Sequence, residues 1–421
     1  MKVILKQFLP YWVVSYFIST SIFPQYFRNL QFASLYLLAA FIVILGREKK
    51  LSILAKDYWM LALIVLIGLS YFWSVATHIT FAYFRNSIMI FVISGYTATT
   101  YTPKQIISYM SKILGLIVFI SLIYIVALPE IGISERGAWR GVFPHQSYFA
   151  AVVGLATISI FNSFNLLSKR NKSNYLKVLN TALIAGCFVV MWYTQARTPL
   201  LALITSFAIL LFFYLKKFRS LKTRTQCFLV LVYFLLIVVP LVFLLKDLII
   251  VELLGKSPNL SGRDQLWSLL SDKIAERPFL GYGQGAFWHN QRLSWEIISK
   301  TPWAPDTFNA HSSYYACLLG LGFVGLFLLF VTVVTVVRRN IVLFYKHNQL
   351  EARWGVQIIV FMLVASYSDT WIGFLNRNIG WFTFNIISLM SIRQIQKVRT
   401  TEIIHDTNPY LHRLVQSCDS D

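Results

Sequence analysis

Residues 260–288 read LSGRDQLWSLLSDKIAERPFLGYGQGAFW, and after a polar stretch residues 310–315 read AHSSYY. This is the one long polar segment of the chain, because the other stretches are either short or apolar over a membrane-spanning length. The sequence around it consists of hydrophobic runs separated by brief basic or polar turns. We therefore expect any chemistry to centre on this segment, with contributions from the few polar residues that face it.

The rest of the chain has the composition of a membrane protein. Of its 421 residues, 57% are hydrophobic and 13% are charged, and the mean hydropathy is +0.62. A soluble core cannot absorb that apolar excess, so the composition predicts a polytopic membrane protein. The N-terminal stretch lacks a small-x-small cleavage site, and we interpret it as an uncleaved first span. The four cysteines show no CxxC spacing and predict no disulfide framework.

A helix needs ~20 mostly apolar residues to cross a bilayer. By that criterion the sequence predicts an all-α fold with about twelve transmembrane helices and one large loop that contains an amphipathic helix. The predicted spans are residues 8–24, 30–46, 58–75, 80–98, 109–128, 147–164, 177–194, 198–215, 227–249, 312–337, 354–372 and 377–392.

The basic residues predict the orientation in the membrane. The formal net charge is +21, and most cations flank spans, so we expect contact with membrane lipid and no nucleic-acid partner. Lys and Arg concentrate in alternating loops, at residues 47–56, 104, 169–172, 216–224 and 338–353, and in the tail at 393–399. Because such residues accumulate on the cytoplasmic side, both termini are predicted to be cytoplasmic and the large loop periplasmic. The predicted divisions are residues 1–249 with about nine spans, the loop 250–311, residues 312–392 with about three spans, and a cytoplasmic tail 393–421.

The large loop is predicted to begin with a helix that has one apolar face. Ser261 and Asp264 have the spacing of a helix start. Downstream, an apolar stripe at helical spacing predicts an amphipathic helix on the membrane surface; it contains Leu266, Trp267, Leu270 and Ile274. Arg263 lies in the first turn, where a cation is unfavourable unless an anion such as a diphosphate binds there. The alternative for Arg263 is a solvated side chain.

Three further arginines lie near the predicted outer surface. Arg197 sits in the tight hairpin YTQARTPL between two spans, where it either snorkels to headgroups or holds an anionic substrate. Arg136 and Arg140 flank Trp139, which fits an interfacial aromatic anchor, and the pair is placed to reach phosphate or sugar. We interpret His145, which follows them, as an interfacial polar residue.

Gly281, Gly283 and Gly285 resemble a phosphate-binding loop, but no strand precedes them and no GK[ST] follows. A tight turn that brings backbone close to sugar or membrane fits the spacing better. Arg277 and Tyr282, before and within this turn, are candidate substrate contacts.

His311 opens the tenth predicted span. A neutral imidazole at a helix start is a suitable base for a sugar hydroxyl, and the alternative is an interfacial hydrogen-bonding residue. The sequence contains no HExxH, and no DxD lies in the predicted loop, so we expect neither a metal nor another cofactor.

These motifs resemble the O-antigen ligase and Wzy-type polymerase family of bacterial envelope-glycan assembly. The resemblance rests on SGRDQLW, RPFLGYGQGAFW and AHSSYY, with QART between two spans and AWRGVFPHQS before another. It extends over roughly residues 30–390. The family often has Asn after the loop histidine and Ser before the hairpin arginine, whereas this chain has Ser312 and Ala196.

The resemblance implies a GT-C-like glycosyltransferase of the bacterial inner membrane. It implies a polyprenyl-diphosphate-linked glycan as donor and a glycan acceptor, without metal or nucleotide sugar. Our own hypothesis is that the acceptor hydroxyl attacks the anomeric carbon with inversion. Arg197 and Arg263 match the family's diphosphate-binding arginines, and His311 matches its proposed general base. The GYGQGAFW block favours a polymerase of O-antigen or exopolysaccharide repeat units. The alternatives are a ligase that transfers the glycan to lipid A-core and a transporter of polysaccharide or lipid.

Overall fold

The computed structural model describes residues 51–170, 174–214, 263–301, 309–370 and 378–407, together with residues 37, 222, 225 and 375. Within these ranges the chain is helical and contains no strand; an isolated bridge pairs Ile133 with Trp139. The helices are α1 Tyr58–Leu69, α2 Thr77–Thr100, α3 Pro103–Ala127, α4 Gln146–Arg170, α5 Asn174–Tyr193, α6 Arg197–Ala208, α7 Arg263–Glu276, α8 Gln291–Ile298, α9 Ser313–Tyr345, α10 Glu351–Ala365 and α11 Ile379–Thr407. Short helical turns at Leu54–Lys56, Ser70–Trp73, Pro129–Gly132, Leu210–Tyr214 and Phe287–His289 complete the described part.

Nine of the twelve predicted spans coincide with these helices; the spans at 8–24, 30–46 and 227–249 lie outside the described residues apart from residue 37. Three of the helices are long and apolar enough to cross a membrane: Pro103–Ala127, Gln146–Leu166 and Ser313–Tyr345. Shorter apolar helices cover Tyr58–Trp73 and Lys177–Tyr193. Several predicted bounds differ: α10 ends at Ala365 rather than 372, α9 continues to Tyr345 rather than 337, and α11 continues through the predicted start of the tail.

The helices pack against one another as a bundle, and contacts at one end join the loops predicted to be basic. Arg339 pairs with the buried Asp57, with 3.4 Å between Nη1 and Oδ1. Arg393 caps the end of α2, since its Nη1 donates to the carbonyl oxygens of Ala98 at 2.9 Å and Tyr101 at 2.8 Å. We call this the basic end. The loops that carry the predicted site residues lie at the opposite end, because α4, α6 and α9 all begin there.

The apolar face of α7 is covered by protein. Its predicted stripe is buried as expected: Leu266, Trp267, Leu270 and Ile274. These side chains pack with Tyr282, Phe287 and other buried residues of the loop, and against Leu319 of α9. The expectation that this face lies on the membrane surface is therefore wrong. The apolar stripe packs against α9 and the rest of the loop instead of against lipid.

The turn at residues 278–283 joins the loop to a break in α9. The break is at Gly322, whose φ of 64° is left-handed. A break frees backbone groups that a continuous helix would pair internally, and the turn supplies partners for four of them. The bonds run from Tyr282 N to Leu319 O (2.7 Å), from Gly283 N to Gly320 O (3.0 Å), from Phe323 N to Pro278 O (2.8 Å) and from Val324 N to Phe279 O (3.2 Å).

Glycine is required at two positions of this joint. A Cβ added at Gly281 would lie 2.5 Å from the carbonyl oxygen of Leu319, and one at Gly322 would collide with the carbonyl group of Phe279. Both residues also have a positive φ, which other residues adopt at a cost. The tight turn predicted from the glycines is present, and the backbone that it approaches is that of α9.

Candidate functional site

His311 is held between α7 and the segment that follows α10. Its backbone N–H donates to Asn309 Oδ1 at 2.8 Å, and the same oxygen accepts from Thr370 Oγ1 at 3.0 Å. On the other side, Trp267 Nε1 donates to the carbonyl oxygen of Ala310 at 2.9 Å. His311 has a φ of 48°, which is uncommon for a residue other than glycine. Strained backbone of this kind is often found at functional positions.

The start of α9 is fixed by its neighbours. The Trp267 ring stacks on Tyr315, with centroids 5.5 Å apart and planes within 7°. Ser313 donates from its backbone N–H to Ser366 O and from its hydroxyl to Asp369 O, both at 2.9 Å. These contacts set the position of the residues immediately before the helix, including His311.

Arg263, His311 and His145 form one electrostatic cluster, which we call the anion cluster. The pKa of His311 is lowered from 6.5 to about 4, first by burial, then by the positive charge of Arg263, and then by His145. Burial also lowers the pKa of His145, and Arg263 and Arg136 lower it further. Both imidazoles are therefore neutral near pH 7. A single cation affects both because charges interact strongly only at short range in such a site.

The anion cluster lies where three helices begin. His145 directly precedes α4, Arg263 is the first residue of α7, and His311 lies two residues before α9. Helix N-termini carry free N–H groups and a partial positive charge, which favour anions and disfavour imidazolium. Arg263 adds a full positive charge, so this end of the bundle is suited to an anionic ligand with several oxygens.

Arg136 and Arg140 differ in their surroundings. Arg136 is exposed, and its effect on the pKa of His145 places it beside the anion cluster. Arg140 is engaged within its own loop, since its Nε donates to Ile131 O at 2.8 Å and its Nη2 to Glu130 O at 3.3 Å.

Arg197 is the first residue of α6 and is half-buried. The hairpin before it contains Gln195, whose φ is 54°. Trp139, predicted as an interfacial anchor, stacks on Tyr193 at the end of α5 with centroids 4.5 Å apart. That contact places the Arg197 hairpin and the Arg140 loop side by side. Among the contacts of the described residues, none joins Arg197 to Arg263 or His311.

Tyr282 and Arg277 lie at the C-terminal end of α7. The Tyr282 side chain is buried, and its hydroxyl group is 2.8 Å from both the Lys273 carbonyl oxygen and Glu276 Oε2. Burial and Glu276 raise its pKa to about 12. The Arg277 guanidinium group lies over the Tyr282 ring, 4.9 Å from its centroid. These contacts hold α7 on the turn, and a substrate contact by either residue stays a prediction.

Sequence reasoning missed Asp369. This buried residue lies beside Arg263, since its carboxylate counteracts the effect of burial on the pKa of that arginine. The available signal was a carboxylate inside the predicted span 354–372, because such a group in a membrane is costly and usually paired or functional. Sequence reasoning also interpreted His145 as an interfacial residue, whereas the structure brings it into the anion cluster.

The comparisons with known proteins agree with this picture. Residues 181–330 match the family model described as O-antigen ligase (Wzy_C). The matched region contains Arg197, Arg263 and His311. No curated protein gives a significant match to the chain. Together with the apolar helices, the family match indicates a membrane protein with glycosyltransferase-type activity on a lipid-linked glycan. Over residues 181–330 this match confirms the resemblance to the O-antigen ligase and Wzy-type family that the sequence motifs indicated.

Proposed function

We propose that this chain transfers a glycan from a polyprenyl diphosphate to a sugar hydroxyl at the periplasmic face of the bacterial inner membrane. The observation that supports this most strongly is the placement of Arg263 beside His311, where three helices begin. That arrangement combines a binding site for an anion with a neutral base.

The diphosphate is the leaving group, and its developing negative charge needs fixed positive partners. Arg263 and the N-termini of α4, α7 and α9 supply them without reorganisation during the reaction. An arginine suits this role because its planar guanidinium group binds phosphate oxygens in a bidentate way. Arg197 and Arg136 contribute from neighbouring loops at the same end of the bundle.

His311 accepts the proton. The acceptor hydroxyl attacks the anomeric carbon with inversion, and its proton passes to the imidazole. The bond from the anomeric carbon to the diphosphate oxygen breaks, and its electron pair leaves with the lipid diphosphate. A pKa of about 4 makes His311 a weak base in the free site. Bound diphosphate offsets the charge of Arg263, which raises the pKa of His311 when a base is needed. This proposed reaction uses no metal.

Two acceptors fit this chemistry. As a polymerase, the chain joins repeat units of O-antigen or exopolysaccharide, and the resemblance of the GYGQGAFW block favours this form. As a ligase, it transfers the glycan to lipid A-core, and the family match is compatible with either form. The surface glycans of a deletion strain separate them: single-unit products indicate a lost polymerase, whereas long unattached chains indicate a lost ligase.

The test uses purified protein in detergent with a lipid-linked glycan and its acceptor. His311→Ala should reduce transfer by roughly 10²- to 10⁴-fold, the usual contribution of a general base. His289→Ala is the matched control, because His289 is exposed in the same loop and is not part of the anion cluster. Full activity of His311→Ala would remove the base assignment. Activity in detergent, where no sealed membrane exists, would also exclude a transporter.

A further inference from the structure

His145 has a fixed chemical form in this site. It stands at the N-cap position of α4, and its Nδ1 accepts a hydrogen bond from the backbone N–H of Ser147 at 3.2 Å. A neutral imidazole carries one ring proton, and a nitrogen that accepts cannot hold it. The proton is therefore on Nε2, which makes that nitrogen a donor. Neighbouring groups partly cover His145, but the residue keeps an exposed surface through which a ligand can reach it.

The groups around His145 keep it neutral. Arg136 faces it from the loop before α4, Arg263 from α7, and His311 from the segment before α9. On its own helix, Tyr148 is the nearest titratable residue, with ring centroids 5.8 Å apart. Cations and a helix N-terminus oppose a positive charge on the ring, and protonating Nδ1 would also break the hydrogen bond from Ser147.

We propose that His145 is a direct ligand of the lipid diphosphate, donating its Nε2–H to a diphosphate oxygen. This inference rests on the proposed function and adds a contact from outside the family-matched residues 181–330. The ligand class follows from charge complementarity, because Arg136 and Arg263 are close enough to act on His145 and favour an anion over a neutral sugar hydroxyl. A neutral donor adds a directed bond without a third cation, whose repulsion would destabilise the empty site.

The competing explanation is that His145 is only a helix cap. A capping side chain stabilises a helix by accepting from an N-terminal N–H group, and the bond to Ser147 does this. The two roles use different ring nitrogens, so two substitutions separate them. Asn keeps a capping acceptor but lacks the reach of Nε2, whereas Gln places an amide donor near the position of Nε2 and loses the cap.

The experiment measures the Kd of polyprenyl diphosphate without glycan, together with thermal stability, for wild type, His145→Asn, His145→Gln and Arg263→Gln. A lost hydrogen bond to a charged oxygen should weaken binding roughly 10- to 100-fold. We expect that loss for His145→Asn at unchanged stability, and a Kd closer to wild type for His145→Gln despite lower stability. Equal binding by His145→Asn and wild type, or weaker binding by His145→Gln than by His145→Asn, would overturn the proposal.

The same measurements keep the two hypotheses separate. If wild type binds polyprenyl diphosphate and Arg263→Gln does not, the proposed donor class is supported whatever the His145 variants do. If wild type fails to bind it, the proposed function fails, and the assignment of His145 fails with it.

Discussion

Replacing Arg263 with Gln tests the electrostatic coupling on which the proposed chemistry depends. The pKa of His311 is lowered from 6.5 to about 4, which corresponds to about 3 kcal/mol against charging the ring. Burial is the largest cause, Arg263 is the second and His145 the third. The share of Arg263 is therefore less than half of the lowering. Because Gln removes the charge but keeps most of the bulk, the pKa of His311 should rise by less than about 1.2 pH units.

The measurement is deuterium exchange at the imidazole C2 position, followed by mass spectrometry of the peptide that contains His311. Exchange rates across pH 3 to about 8 report the pKa of that one histidine, bracketing its lowered and ordinary values. Arg292→Gln is the control, since Arg292 lies in the same loop with a side chain that is 90% exposed. It should leave the pKa of His311 unchanged.

Two results would refute the reasoning. A wild-type pKa at or above 6.5 would mean that His311 is neither buried nor close to a cation. If the pKa of His311 stays constant or falls in Arg263→Gln, the two residues are not close to each other. The proposed pairing of base and anion site would then be wrong.

Three further predictions concern the supports of the site. Gly322→Ala should lower the free energy of unfolding by about 1–3 kcal/mol, because residue 322 has a left-handed conformation and its added Cβ would collide with the Phe279 backbone. Gly186→Ala is the control, since a Cβ there meets nothing within 4 Å, and thermal unfolding in detergent should show no loss for it. Trp267→Phe removes the hydrogen bond to Ala310 and should lower kcat while the Kd of polyprenyl diphosphate stays unchanged; equal kcat values would show that this bond does not position His311. Asp369→Asn should bind polyprenyl diphosphate at least as tightly as wild type, because it removes a negative charge beside Arg263; weaker binding would contradict that sign.

The helices were predictable because the hydrophobic runs are long and their breaks are polar. The predicted end of a helix was wrong where polar residues form hydrogen bonds to another helix. Ser366 and Asp369 lie in the predicted span 354–372, yet the helix ends at Ala365 because their backbone carbonyl groups bind the start of α9. A prediction from local hydropathy takes no account of hydrogen bonds to another helix.

The candidate site was predictable in its residue types and not in its assembly. Arg263 and His311 were proposed because a cation is unfavourable and a neutral imidazole is favoured at a helix start, and because both match residues of the resembled family. The covering of α7 by the loop, and the arrival of His145 and Asp369 beside Arg263, depend on contacts between distant parts of the chain. Tyr282 shows the converse, because its motif suggested a substrate contact while its hydroxyl group is used inside the loop.

The joint between residues 278–283 and the break in α9 is made by peptide groups, so apart from its glycines its strength depends little on side-chain identity. The exposed residues of α8, which include Gln291, Arg292 and Trp295, can therefore change without disturbing this joint, whereas Phe287 and Ile297 are buried against α7. Substitutions at these exposed positions should accordingly leave the start of α9 in place, whereas substitutions at Gly281 or Gly322 should displace it.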